Sequence, residues 1–276
     1  MKNAISASLT VIFFLGSIHA VHAEVNTKLT LETGLEYYTG KYGTFHSTDI
    51  LYIPVIGKIQ GRDWALKMTI PYIEITGASN VVNGLGQTTG TATHSHVVRS
   101  GMGDWILAGT HNVYNGGSGS FVVNLTGKAK LAMADSSKGL GTGKNDYAVE
   151  STLFKPSGRL TSFGTFGYKY YGSPAAYKLN NVFYGSLGGS YKFNQATSGG
   201  AMFIAGQRVM ANRSNRAEML LFASHAPGRQ WKTQGYLLKG FTNSVPDWGG
   251  GILVEYITEM KQNRSSKIPQ PDSVGD

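Results

Sequence analysis

The feature that most limits how this chain can fold is an alternation of apolar and polar residues with a period of two, repeated along almost its whole length. In the first run Val25, Thr27, Leu29, Leu31, Thr33, Leu35 and Tyr37 share one face, while Lys28, Thr30, Glu32, Gly34 and Glu36 share the other. Successive side chains of a strand point to opposite faces, whereas an amphipathic helix repeats every 3.6 residues. The pattern returns with Leu51, Ile53, Val55 and Ile59 against Tyr52, Pro54, Lys58 and Gln60. It returns again with Trp64, Leu66, Met68, Ile70 and Tyr72 against Ala65, Lys67, Thr69 and Pro71. Pro71 has no N–H for a ladder, which predicts a bulge or strand end beside it. Further runs follow near 104–114, 121–131, 146–155, 160–171, 182–194, 200–211, 217–225, 231–241 and 249–257, with 77–103 read as one long polar connection before the fourth. The composition agrees: 37 Gly, 15 Tyr and 12 Phe against 8 Pro suit strands joined by tight turns.

Residues 1–23 read as a secretory signal peptide, with Lys2, an apolar stretch from Leu9 to Ile18, and Val21-His22-Ala23 before the cleavage point. Its removal takes away one lysine, so the formal charge of +9 becomes +8. An exported chain without cysteine cannot use disulfides. Past residue 23 no apolar run approaches the roughly 20 residues of a spanning helix. Two all-β classes remain, a secreted sandwich and an outer-membrane barrel. Twelve runs is an even number, and connections that alternate between long and short suit a barrel. Tyr37, Trp64, Tyr72, Trp105, Tyr114, Tyr147, Trp231, Trp248 and Tyr256 stand near predicted strand ends, where interfacial girdles belong. The expectation is therefore one antiparallel transmembrane β-barrel of about 12 strands over 24–257, followed by a polar periplasmic tail, 258–276.

The stretch Ala134 to Tyr147 has glycines at 139, 141 and 143, then Lys144. It imitates a phosphate loop without meeting its spacing. Such a loop needs four residues between its first glycine and the Gly-Lys pair, then a Ser or Thr and a helix. Here Asn145 takes the hydroxyl's place and strand-like alternation follows. The stretch reads as a long hairpin loop. Its alternating glycines permit turns with positive φ, so Asp135, Lys138, Gly139, Gly141, Gly143, Lys144 and Asp146 are candidates for a constriction folded over the barrel mouth.

Four places resemble the outer-membrane β-barrel family named for the MetA pathway of phenol degradation. They are Gly101-Met102-Gly103-Asp104-Trp105; Asp135 to Tyr147, close to Asp-x-Ser-Lys-Gly-Leu-Gly-x-Gly-x-x-Asp-Tyr; Gly167-Tyr168 with Gly172-Ser173-Pro174; and Gly240-Phe241 through Pro246-Asp247-Trp248-Gly249. The loop departs from the family at Ala132-Met133-Ala134, where a Pro-Thr-Gly turn is common. The resemblance implies an outer-membrane transporter of small, often hydrophobic or aromatic compounds.

If the apolar faces meet lipid, the opposite faces line a lumen. Its charged candidates are Lys28, Glu32, Glu36, Lys58, Lys67, Asp104, Lys128, Lys130, Glu150, Lys192, Glu218, Lys232 and Glu255, seven basic and six acidic. That balance argues against strong anion selectivity. Lys128 and Lys130, two apart, form either a basic rung for carboxylates and phenolates or ion pairs with Glu150 or Asp104. His94-Ser95-His96 reads as solvated loop, with no acidic or cysteine cluster for a metal. No Gly-x-Ser-x-Gly elbow supports a hydrolase, and no Arg-rich run supports nucleic-acid binding. No cofactor is expected; the partners are outer-membrane lipids and a small solute. The leading reading is a passive outer-membrane channel. The alternatives are a structural or adhesion barrel with a plugged lumen and, behind it, an outer-membrane lipid hydrolase. Oligomeric state is not encoded legibly.

Overall fold

The structure is a computed structural model that describes residues 27–260, apart from 43, 45, 79–80, 83–85, 88–95, 118 and 212. The expected signal peptide lies outside the described residues, as do residues 261–276 of the expected tail. The described residues form fifteen strands: β1 (Thr27–Gly40), β2 (Thr48–Gln60), β3 (Trp64–Ala78), β4 (Val81–Val82), β5 (Gly86–Gln87), β6 (His96–Met102), β7 (Trp105–Asn115), β8 (Val122–Leu131), β9 (Asp146–Ser157), β10 (Leu160–Tyr171), β11 (Val182–Lys192), β12 (Thr197–Gly206), β13 (Arg216–His225), β14 (Trp231–Gly240) and β15 (Trp248–Met260).

Twelve of these, β1 to β3 and β7 to β15, form an antiparallel ring. Each pairs with its neighbours in sequence order, and β1 closes on β15 from Thr27↔Met260 to Thr39↔Trp248. Closure removes the edge strands that would leave backbone donors and acceptors unpaired in lipid. The connections 61–63, 116–121, 158–159, 193–196 and 226–230 gather at one end, here the turn end. The described residues of the longer segments 41–47, 79–95, 132–145, 172–181, 207–215 and 241–247 gather at the other, the loop end.

The fourth wall differs from the sequence expectation. Within the segment read as one connection, 77–103, β3 continues to Ala78 and β6 pairs with its upper half, Tyr72 to Ala78, while β7 pairs with its lower half, Trp64 to Thr69. The change of partner falls at Pro71, which lies opposite Pro54 of β2. A residue without an N–H loses no ladder bond there, and the Pro71 carbonyl accepts from Gly103 N–H at 2.8 Å. Gly103 has to be small, since a Cβ would run into Ile73 and Pro71. Strand polarity hid β6, because Arg99 and Ser100 break the apolar alternation. Strand boundaries elsewhere move by a few residues as well. The ninth expected strand, 200–211, is β12 at Thr197–Gly206, with Gln207 and Arg208 in the loop after it. The last strand ends at Met260 instead of Ile257.

Along each wall, exposed and buried residues alternate as the period of two requires. Leu31, Leu66, Leu187, Leu237 and Ile252 stand exposed on the outer face. Aromatic rings mark its rims: Tyr37, Tyr72, Tyr147 and Trp248 at the loop end, Trp64, Tyr114, Trp231 and Tyr256 at the turn end. Trp231 packs on Tyr256 with centroids 4.9 Å apart, and Lys239 Nζ lies 4.4 Å above the Trp248 ring. Such aromatic and basic anchors suit the two water–lipid interfaces. The interior holds a continuous cluster of Tyr38, Ile50, Tyr52, Ile73, Ile75, Phe154, Phe163, Leu220, Phe222, Tyr236, Leu238 and Leu253.

Candidate functional site

Parity along the strands decides which polar side chains enter the barrel. Lys28 and Lys192 are exposed near the turn end, while the other eleven charged lumen candidates are buried or half-buried. They separate into groups. On the side built from β14 and β15, Lys232 Nζ lies 3.2 Å from Glu255 Oε1, which also accepts from Gln234 Nε2 at 2.9 Å. Glu32, Lys58 and Lys67 enter from β1 to β3. Next to them, Glu36 has no lysine in its hydrogen-bond set: its carboxylate accepts from Tyr236 OH at 2.6 Å and from the Tyr38 hydroxyl. Room for these rings comes from β15, where a Cβ on Gly251 would lie 2.9 Å from both Glu36 Cγ and Tyr236 Cε1.

The opposite side, from β7 to β13, carries the densest charge network. Lys128 Nζ lies 2.7 Å from Glu150 Oε1, and Glu150 Oε2 accepts from Tyr184 OH at 2.7 Å. Lys130 Nζ reaches Asp104 at 2.9 Å and Asp146 at 3.2 Å. Asp146 also receives Lys169 at 3.4 Å, and Arg216 meets Glu218 at 2.5 Å. Lys128 and Lys130 are therefore each held by carboxylates; they do not form a rung of free cations. Lys169, Tyr184 and Arg216 lie on the same inner face as Glu150 and Glu218, and that shared parity is the sequence signal that points to them.

The 132–145 loop packs down into the mouth. Gly139 and Gly143 adopt φ of +69° and +66°, the left-handed region open to glycine. Asp135 Oδ1 accepts from the Ser137 hydroxyl at 2.5 Å, the Ser137 N–H at 2.9 Å and the Lys138 N–H at 3.3 Å. These bonds, the hydroxyl's foremost, hold the Asp135 carboxyl below its ordinary range. Lys138 and Lys144 face solvent. Ala134 N–H donates to Asp104 Oδ1 at 3.0 Å, and Lys130 Nζ donates to Thr142 Oγ1 at 3.1 Å. Arg99 of β6 fastens the outer turn through Lys138 O at 3.0 Å and Val81 O at 2.9 Å. Leu140, 1 % exposed, joins the lumenal cluster. Other loops also turn apolar side chains inward: Tyr42, Val81 and Val245 are buried, and Leu179, Val209 and Met210 pack with Tyr171 and Val182.

Beneath these loops a cavity of about 190 Å³ opens between β8 and β13. One part is apolar, with Phe154, Phe163, Phe222 and Met202. The other presents Lys128, Lys130, Lys169, Arg208 and Arg216 with Asp146 and Glu150. His94 and Ser95 lie outside the described residues. The glycine-rich loop leads into β9, so no helix N-terminus stands behind it for a phosphate.

The sequence model of the family described as the MetA-pathway of phenol degradation matches residues 24–242. The chain belongs to that family. Its fold is similar to that of the COG4313 outer membrane channel from Pseudomonas putida F1, with a TM-score of 0.66 at 12% identity, covering 88% of this chain and 98% of that one. A structure named the CymD monoaromatic hydrocarbon channel aligns with a TM-score of 0.43 at 9% identity, covering 87% and 90% of the two chains. No curated protein matches the sequence. The family member described here thus has the fold of an outer-membrane barrel.

Proposed function

We propose that this protein is an outer-membrane channel through which small hydrophobic or aromatic solutes cross passively, with its loop end outside the cell and its turn end in the periplasm. The observation that carries this reading is the mouth. Leu140, Leu179, Val209, Met210 and Val245 turn inward from four separate loops and are buried there, so the constriction a solute has to pass is packed with apolar side chains. A pore for ions and sugars would present polar and charged groups there. Below the mouth the lumen offers both phenyl rings and paired charges, which suits molecules with an apolar body and a polar end. Passive transfer accords with a loop that lacks phosphate-loop spacing. The similarity to channels in fold, and the family's link with phenol degradation, point the same way.

The test is a liposome assay with the purified full chain. Toluene or phenol entry into vesicles should be faster with the protein than without it, while entry of a sugar of similar mass should not change. Equal entry with and without protein would overturn the reading. It would favour a plugged surface barrel, for which the burial of Leu140 among Ile50, Ile73 and Ile75 is the supporting observation.

A further inference from the structure

We propose that the deep end of the cavity between β8 and β13 is a binding site for a neutral single-ring arene that carries one hydroxyl. The inference deepens the channel reading by naming a class of solute, and it rests on that reading only for the ligand's route of access. The strand registers divide the wall here into levels. Phe154, Phe163, Gly188 and Met202 stand opposite one another on β9 to β12. Two residues nearer the loop end, Thr152, Thr165, Ser186 and Ile204 do the same. Apart from Gly188, all of these side chains line the cavity.

The deeper level is apolar. The Phe163 ring lies with its centroid 6.4 Å from that of Phe154 and 6.4 Å from that of Phe222, tilted against both. It takes the space that a side chain at 188 would need, since a Cβ there would meet Phe163 Cζ at 2.7 Å; Phe222 stands in the same relation to Gly200. The two glycines therefore let the rings lie along the wall, where one more ring can pack edge to face against them. The cavity volume of about 190 Å³ exceeds the roughly 150 Å³ known to hold a benzene molecule. One ring with a small substituent fits.

The level above fixes what that substituent is. Thr152 Oγ1 and Thr165 Oγ1 share a hydrogen bond of 3.0 Å. The Ser186 hydroxyl lines the cavity and has no side-chain partner among the described residues. Each of these groups can donate or accept, and so can a hydroxyl on the ligand. Two residues of strand set the levels roughly 6.6 Å apart, close to the span from the centre of a ring, through its own hydroxyl, to that hydroxyl's partner. The ligand therefore touches adjacent levels only. A bare arene would leave the Ser186 hydroxyl unmet. A carboxylate fares worse: Thr152, Thr165, Ser186 and Ile204 include no cation, and the residue opposite Ile204 on β13 is Glu218, already held by Arg216. Lys128 is likewise held by Glu150, which stands two residues nearer the loop end than Thr152. An anion placed here would be partly enclosed without a counter-charge.

Calorimetry on the full chain in detergent, against blank titrations into empty micelles, tests this with benzyl alcohol, benzoate and toluene as probes. Benzyl alcohol should bind about tenfold more tightly than benzoate, which has the same ring but brings a charge. Ser186→Ala should weaken benzyl alcohol about fivefold, the size of one hydrogen bond, and leave toluene unchanged. Met202→Trp, which fills the deep end from β12, should abolish the binding of both. Benzoate binding as tightly as benzyl alcohol, or benzyl alcohol binding unchanged in Ser186→Ala, overturns the proposal even if Met202→Trp fails to fold. Solute entry into vesicles is read separately: entry without benzyl alcohol binding removes the site and leaves the channel, while binding without entry does the reverse.

Discussion

Gly141 lies flat against the carboxylate of Asp104: a Cβ on Gly141 would come within 2.7 Å of Oδ2 and 2.8 Å of Oδ1, and within 2.9 Å of Ala134 Cβ. The same carboxylate receives the Ala134 N–H and the Lys130 ammonium. The loop is therefore seated on the barrel wall by a contact that only a glycine allows, and Leu140 next to it is carried into the mouth as a result. Gly141→Val should lift the loop, at a cost of about 1–3 kcal/mol typical of overpacking. The barrel ladder does not involve this residue, so the chain should still insert. Single-channel conductance should rise relative to the unaltered protein. An unaltered conductance would mean that Leu140 does not limit the mouth.

Lys128 and Lys130 balance Glu150 and Asp104 inside the wall, so removing both leaves those two carboxylates without their cations, whereas Asp146 keeps Lys169. The Lys128→Ala/Lys130→Ala double variant should shift any ionic leak toward cations. A change of about 1.4 kcal/mol in the field that ions cross would alter the permeability ratio roughly tenfold. Reversal potentials under a salt gradient measure this directly, and an unmoved potential would show that ions do not pass this network.

Much of the wall was legible because a strand's two faces face two solvents. The alternation in Thr27 to Gly40 assigns Leu31 and Leu35 outward and Glu32 and Glu36 inward, as found. The lumen was legible only in part. Reading the inner face for charge found Glu36 and Glu150 but passed over Tyr38, Phe154, Leu220 and Phe222, which share the parity of Glu36, Glu150 and Glu218 and form the apolar interior. The parity was the signal, and an inward aromatic is as diagnostic as an inward lysine. The 132–145 loop was legible through its glycines, because positive φ leaves a mark in composition. The partner exchange at Pro71 was half legible: the missing donor foretold a break, but nothing local told that β6 would continue the wall beyond it.

Gly251 gives a sharper view of how the inner wall is packed. It sits beneath Glu36 and Tyr236, each 2.9 Å from where its Cβ would be, with the Leu35 carbonyl at 3.0 Å. Gly251→Val should push the Tyr236 ring away and break its hydrogen bond to Glu36, destabilising the folded barrel by about 1–3 kcal/mol. The urea midpoint of the vesicle-inserted protein should fall accordingly. Gly235, whose nearest neighbour at the same position is a carbonyl at 3.8 Å, is the control, and Gly235→Ala should leave the midpoint near that of the parent.

Leu187 tests which surface faces lipid. It lies midway along β11, opposite Gly164 of β10 and Phe203 of β12, and is 72% exposed. Such exposure of a large apolar side chain is costly in water and favourable in hydrocarbon. Leu187→Arg should then cost about 2–4 kcal/mol of folding stability in a bilayer, the range for an arginine near the midplane of a barrel's lipid face. Leu187→Ala should cost less, since it introduces no charge. Equilibrium folding into phospholipid vesicles, followed by tryptophan fluorescence, measures both. If arginine at 187 is tolerated as well as alanine, this part of the wall faces water and the belt of exposed leucines needs another explanation. If arginine fails and alanine does not, the alternation along β11 is set by the bilayer. The small inward residues Ser186 and Gly188 then border the lumen because a barrel in lipid leaves them no other side to face.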